Sequence, residues 1–121
     1  MEVRTAKSTE RERVEAVLDA AMLQTGEVAS KIDRDDVLVA VDDGRLLGAL
    51  VLTPDENGQH IDAIAVRPNR RGQGIGRALV ETASTSTDRL TAAFDRDVRP
   101  FYESLGFEIC ERDGRLWGEW S

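Results

Sequence analysis

One cysteine, Cys110, and one histidine, His60, are all that this 121-residue chain holds of the two side chains that most often bind zinc. An internal disulfide and a multi-cysteine zinc site are thereby excluded, and no metal site is expected. Lysine is almost as scarce. Lys7 and Lys31 are the only two among 16 basic residues, the rest being arginine. Acids number 23, for a net charge of −7, so non-specific attraction to nucleic acid or to an anionic membrane is not expected. Long apolar runs are missing too: nothing approaches the roughly 20 residues of a membrane span. The opening MEVRTAKSTERERVEAV has no signal-peptide apolar block. A cytoplasmic protein of one domain, residues 1–121, is the expectation. The acidity suits a cationic or amine ligand, and it also suits a surface kept soluble in a high-salt cytoplasm. The arginine-rich, lysine-poor bias, with abundant Asp, Glu and Thr, favours the second reading of the overall charge.

What is there centres on IDAIAVRPNRRGQGIGRALV, Ile61 to Val80. Ile61, Ala63, Ile64, Ala65 and Val66 make a short apolar run that reads as a buried strand. Arg67-Pro68 ends it, because proline has no N–H to donate and disfavours helix in the residue before it. After the glycine-rich turn, Ile75, Leu79 and Ala83 recur at helical spacing. Glycines at a helix start let backbone amides approach a ligand, and the unpaired donors of the first turn favour an anion. Arg70, Arg71 and Arg77 flank this turn, which reads as a phosphate or pyrophosphate cradle. A Walker A loop is excluded, since the segment has no lysine. The dinucleotide pattern GxGxxG fails at Arg77 when counted from Gly72 and at Leu79 when counted from Gly74.

The remaining elements follow from periodicity and turn chemistry. Glu2 to Ala6 reads as a first strand. Thr9 and Glu12 have capping-box spacing, and Val14, Val17, Leu18, Ala21 and Met22 mark an amphipathic helix that Gly26 would stop. Glu27 to Asp36 reads as a polar loop or one short turn. Val37–Val41 and Leu46–Thr53 form a hairpin about Asp43-Gly44, broken by Pro54. Asn57-Gly58 turns the chain into a strand from Gln59 to Arg67. Leu90–Phe94 is a fifth strand. Val98, Phe101, Tyr102 and Leu105 mark one face of a short helix stopped by Gly106. Phe107–Cys110 and Leu116–Trp120 close the chain as a hairpin around Asp113-Gly114, with Cys110 an inert, half-buried thiol.

The RxxGxG of Arg71 to Gly76, directly after a strand ending in Val66-Arg67-Pro68, resembles the acetyl-CoA-binding signature of the GNAT superfamily of acyl-CoA N-acyltransferases. Arg99-Pro100-Phe101-Tyr102-Glu103-Ser104-Leu105-Gly106-Phe107 resembles that family's second recurring segment. The order β-α-β-β-β-α-β-α-β-β matches the family nearly end to end. The resemblance implies an α/β fold: a central mixed β-sheet flanked by helices and splayed at the central strand. The departure is at the front, where family members carry two helices and this chain leaves almost no sequence for the second.

Several expectations come with the resemblance. Acetyl-CoA is the implied co-substrate, with its pyrophosphate on Arg71, Gly72, Gln73, Gly74, Ile75, Gly76 and Arg77. Backbone groups of Ile64, Ala65 and Val66 would pair with the pantetheine arm, and an amide near Ile64 would polarise the thioester carbonyl. Tyr102 would assist the departing thiolate. The base that deprotonates the amine is left between His60, Asp62 and water. An asparagine common seven residues before the tyrosine is Asp95 here. Trp117 and Trp120 are equally readable as acceptor-pocket walls or as core. The reading is an N-acetyltransferase acting on an amine, whether polyamine, amino acid, antibiotic, protein N-terminus or lysine. Its alternatives are a non-catalytic acyl-CoA-binding or regulatory module, and a phosphate-binding protein of another class. The last hairpin offers an edge strand, so a homodimer is expected.

Overall fold

The computed structural model describes residues 1–20 and 28–121. Among the described residues one sheet holds Glu2–Thr5 (β1), Val37–Asp42 (β2), Arg45–Asp55 (β3), Gly58–Val66 (β4), Leu90–Phe94 (β5), Glu108–Arg112 (β6) and Arg115–Trp120 (β7). Their order across the sheet is β1-β2-β3-β4-β5-β7-β6. Every pairing is antiparallel except β4 with β5, which is parallel and joined by a crossover through the helix Ile75–Ser84 (α3). The mixed sheet with flanking helices is the GNAT arrangement.

Alternation along the strands builds two cores, one on each face of the sheet. Val37, Val39, Ala49, Val51, Ala63 and Ala65 pack on one side with Val14, Val17 and Leu18 of the helix Arg11–Ala20 (α1). Leu38, Leu50, Leu52 and Ile61 pack on the other with Ile75, Leu79 and Val80 of α3. Tyr102, on the short helix Arg99–Ser104 (α4), joins this second core. Because both faces of β2 and β3 are covered, these strands read as continuous apolar runs.

Four expectations change. Glu27–Asp36 is more than a loop, because Val28–Asp33 forms a helix (α2) whose Val28 and Ile32, four apart, are both buried. The second front helix is therefore present in shortened form. The start of α1 is organised by Glu10 instead of by Thr9 and Glu12. Ser8–Glu10 make a 3-10 turn, and the Glu10 carboxylate accepts the Lys7 amide at 2.8 Å. Pro54 does not end its strand. There β3 runs past the end of β2 and is an edge, where the missing donor is tolerated. Cys110 is exposed, not half-buried, because β6 is the outer strand of the last hairpin. Ala21, Met22 and Gly26 lie outside the described residues. The turns at Asp43-Gly44 and Asp113-Gly114 stand, each with both residues at positive φ.

Candidate active site

β4 and β5 stay together for only three residue pairs, Gln59 with Leu90, His60 with Thr91 and Ile61 with Ala92. Beyond Ile61 they part. Ala63 to Val66 remain paired to β3 but have no partner on the β5 side. One cause is visible in the register. Val51 faces Ala63 and Leu52 faces Ile61, so Asp62 is an extra residue in β4, and such a bulge bends its strand and sharpens the twist. A groove of about 560 Å³ opens in the gap. Its lining includes Ile64, Phe94 and Tyr102, packed with the α3 side, and also His60, Asp62 and Ala63 from the opposite face. Residues of both faces therefore line one groove, at the gap between the two strands.

The glycine-rich turn stands at the C-terminal end of β4. Pro68–Arg70 form a 3-10 turn, Gly72 and Gly74 take φ of 79° and 80°, and Gly74 caps α3. A left-handed conformation at both positions is what glycine allows at least cost. Among the described residues no backbone amide from Arg71 to Arg77 donates to another protein group. A run of unpaired donors at the N-terminus of a helix fits a pyrophosphate. A Cβ at Gly72 or Gly74 would meet nothing within 4 Å, so the approach is open. Gly76 serves packing instead. A Cβ there would lie 3.3 Å from the Phe101 ring, so its absence lets α4 close on α3. Arg77 is turned partly to Ser104 and Glu81, while Arg71 Nε donates to the Val66 carbonyl at 3.3 Å.

Tyr102 is held by aromatics. Its ring stacks on Phe94 at 4.2 Å and meets Phe101 and Phe107 edge-on at 5.0 and 5.1 Å. Of Val98, Phe101 and Leu105, expected on its helical face, Phe101 and Leu105 pack against the same core while Val98 is exposed, and β5 and the residue after Gly106 supply two of the three rings. The hydroxyl has no hydrogen-bond partner among the described residues and is not among the enclosed unpartnered atoms, so it opens to the groove that Tyr102 lines. Burial pushes its pKa up to about 12.

His60 and Asp62 line the same groove but are differently engaged. His60 Nδ1 lies 2.8 Å from Thr91 Oγ1, and its ring stacks on Trp117 at 5.4 Å. Thr91 is fully buried, so it is a fixed partner. Asp62 accepts the Thr53 hydroxyl at 2.8 Å and lies 3.5 Å from Lys31 Nζ, which itself donates to Thr53. Its carboxylate is committed to neighbours in a way that the outer nitrogen of His60 is not. Trp117 stands beside His60 with Arg112 over its ring at 4.6 Å. Trp120 is on the opposite face, against the α3 core. Asp95, at the family's asparagine position, lies 3.4 Å from Arg115, and both line the groove. Thr91 was not singled out from sequence. A polar residue inside the buried run LTAAF was the available signal.

Residues 33–109 match the profile of the acetyltransferase (GNAT) domain. The chain belongs to the GNAT acetyltransferase family. Comparison with curated protein sequences gave no match. Among solved structures, a GNAT-family acetyltransferase from Listeria monocytogenes superposes with TM-score 0.81 at 15% identity, covering 98% of this chain and 93% of that one. PaiA N-acetyltransferase from Thermoplasma acidophilum, in complex with coenzyme A, gives 0.79 at 19% identity over 98% and 96%. An aminoglycoside 6'-N-acetyltransferase complexed with coenzyme A gives 0.78 at 17% over 99% and 96%. At these identities the likeness is one of fold. Among the described residues of this GNAT domain no helix is long and apolar enough to cross a membrane.

Proposed function

We propose that this GNAT domain is an N-acetyltransferase that moves the acetyl group of acetyl-CoA directly to an amine. The observation that carries the proposal is the groove at the gap between β4 and β5. It is lined by a tyrosine whose hydroxyl has no protein partner among the described residues and by a histidine, and the helix N-terminus of unpaired amides stands at the C-terminal end of the same strand, β4. Coenzyme A supplies the acetyl group as an activated thioester. The amides from Arg71 to Arg77 bind its pyrophosphate, and the unpaired edge of Ile64, Ala65 and Val66 takes the pantetheine arm as an added strand. An amide near Ile64 donates to the thioester carbonyl. His60, with Nδ1–H donated to Thr91, keeps the lone pair of Nε2 to take the proton of the amine. The N–C bond forms as the C–S bond breaks, and Tyr102 donates a hydrogen bond to the departing sulfur.

One feature bears on the acceptor. The groove lining carries Asp62, Asp95 and Asp97 against Arg115 and His60, a setting that favours a cationic amine over an anionic one. The experiment is a screen of amines for acetyl-CoA-dependent release of free thiol, with the acetylated product confirmed by mass. Turnover of any amine that falls by roughly tenfold or more in Tyr102→Phe supports the proposal. Tight CoA binding without turnover across polyamines, amino acids, aminoglycosides and peptides would favour a binding module instead.

A further inference from the structure

We infer that a second pocket, outside the groove, is a phosphate-binding site. It has a volume of about 410 Å³ and lies where α1, the β2–β3 turn and the 3-10 turn after β4 come together. Arg13, Arg45, Arg67 and Arg70 all line it, together with Asn69, and no carboxylate does. In a chain of net charge −7, a cavity lined by four arginines and no acid runs against the overall balance. Three of the four make no ion pair among the described residues, and Arg13 alone reaches an acid, Glu10. Arg67 Nε donates to the Leu46 carbonyl at 2.7 Å, which holds the guanidinium in place without neutralising it. Arg13 donates to the Gly44 carbonyl at 3.0 Å and only its far nitrogen reaches Glu10, at 3.3 Å. Arg45 and Arg70 have no ion pair or side-chain hydrogen bond among the described residues.

Like charges gathered in one concavity repel, and elsewhere in this protein arginines are interleaved with acids that relieve such repulsion. Here the only such acid among the described residues is Glu10, which Arg4 already holds, and a bound anion supplies the rest. Guanidinium forks match the oxygens of a phosphate in geometry as well as charge. Two backbone-anchored arginines (Arg13 and Arg67) give a preset frame, and the unpaired Arg45 and Arg70 supply the remaining donors. The site shares no lining residue with the groove. It is close in sequence to the cradle through Arg70, so the phosphate has two sources: the 3'-phosphate of coenzyme A, or a separate phosphorylated molecule.

The test uses the ligand-free chain first, and so stands apart from the acetyltransferase reading. Inorganic phosphate is titrated by calorimetry against sodium chloride of equal ionic strength, on wild type, Arg45→Gln and the charge-matched control Arg11→Gln. The expected result is saturable phosphate binding in wild type and control, weakened by roughly tenfold or more in Arg45→Gln, as for the loss of one charge-assisted contact. Without phosphate, Arg45→Gln is at least as thermostable as wild type, because repulsion is relieved. Coenzyme A and 3'-dephospho-coenzyme A are then compared. A preference for coenzyme A that Arg45→Gln erases assigns the site to the 3'-phosphate. A preference that survives, with phosphate and coenzyme A bound together, assigns it to a separate molecule. Phosphate binding that is absent, or equal in wild type and Arg45→Gln, overturns the inference.

Discussion

Replacing Tyr102 by phenylalanine removes one oxygen from a ring that is 3% exposed and fixed by three aromatic neighbours. Those ring contacts are all kept, and the hydroxyl has no protein partner to lose among the described residues. Stability should therefore change by well under 1 kcal/mol. Had the hydroxyl been a buried donor with a partner, about 1 kcal/mol would be lost, or roughly 4 °C in Tm for a domain of this size. The catalytic effect can be bounded in the same way. Burial holds the phenol at about pKa 12, so it stays protonated through the working range. An alkyl thiol titrates near 8.5, roughly 3.5 units lower, which places outright proton transfer to the thiolate uphill by about 5 kcal/mol. In the proposed reaction the hydroxyl is therefore assigned the part of a hydrogen-bond donor to the leaving sulfur. A hydrogen bond to a charged group contributes about 1.5–3 kcal/mol, so turnover should fall roughly 10- to 150-fold, below the upper range of a full general acid. Thiol release, CoA affinity by calorimetry and Tm are measured on one preparation. Near-normal turnover would refute the assignment, and a Tm loss of about 4 °C beside it would make Tyr102 a structural residue.

Gly74→Val should abolish CoA binding in a folded protein, because φ of 80° is strained for a branched side chain and the group would stand over the unpaired amides; calorimetry showing unchanged affinity would remove the cradle. His60→Ala should lower turnover and delete the acid limb of the pH–rate profile while leaving CoA affinity unchanged; Thr91→Val, which frees the ring nitrogen, should shift that limb without deleting it. An unaltered profile in His60→Ala assigns the proton to water. Glu10 accepts both terminal nitrogens of Arg4 at 2.8 Å and the Lys7 amide, and these hold its carboxyl down at about 2. Its folded pKa lies below the usual glutamate value of about 4.3, so its stabilisation is present above that pH and is lost as pH falls towards 2. The unfolding free energy of Glu10→Gln from urea titration should be lower by about 1.5–3 kcal/mol at pH 7, with the gap to wild type closing by pH 2. A gap that persists there would contradict the ion-pair account.

Local chemistry alone determined much of this protein. Glycines at 72 and 74, the proline after Arg67, the paired turn residues Asp43-Gly44 and Asp113-Gly114 and the apolar alternation of the strands each act over a few residues, so their consequences are readable in order along the chain. The turn from Arg71 to Gly76 was legible as an anion cradle for the same reason, whereas Tyr102 was singled out by resemblance to a family segment and not by local chemistry. Tertiary structure decided what depends on partners distant in sequence. The register slip that makes Asp62 an extra residue exists only when β3 and β4 are aligned, and the gap beyond Ile61 only when β5 pairs with β4. Thr91 fixes His60 across 31 positions, and Lys31 and Thr53 engage Asp62 from two other elements. The four arginines of the second pocket are drawn from α1, the start of β3 and the loop after β4. No periodicity links such residues. They meet because the sheet brings one end of β3 and β4 beside the helix that crosses them, and charge then accumulates where the fold, not the local sequence, places it.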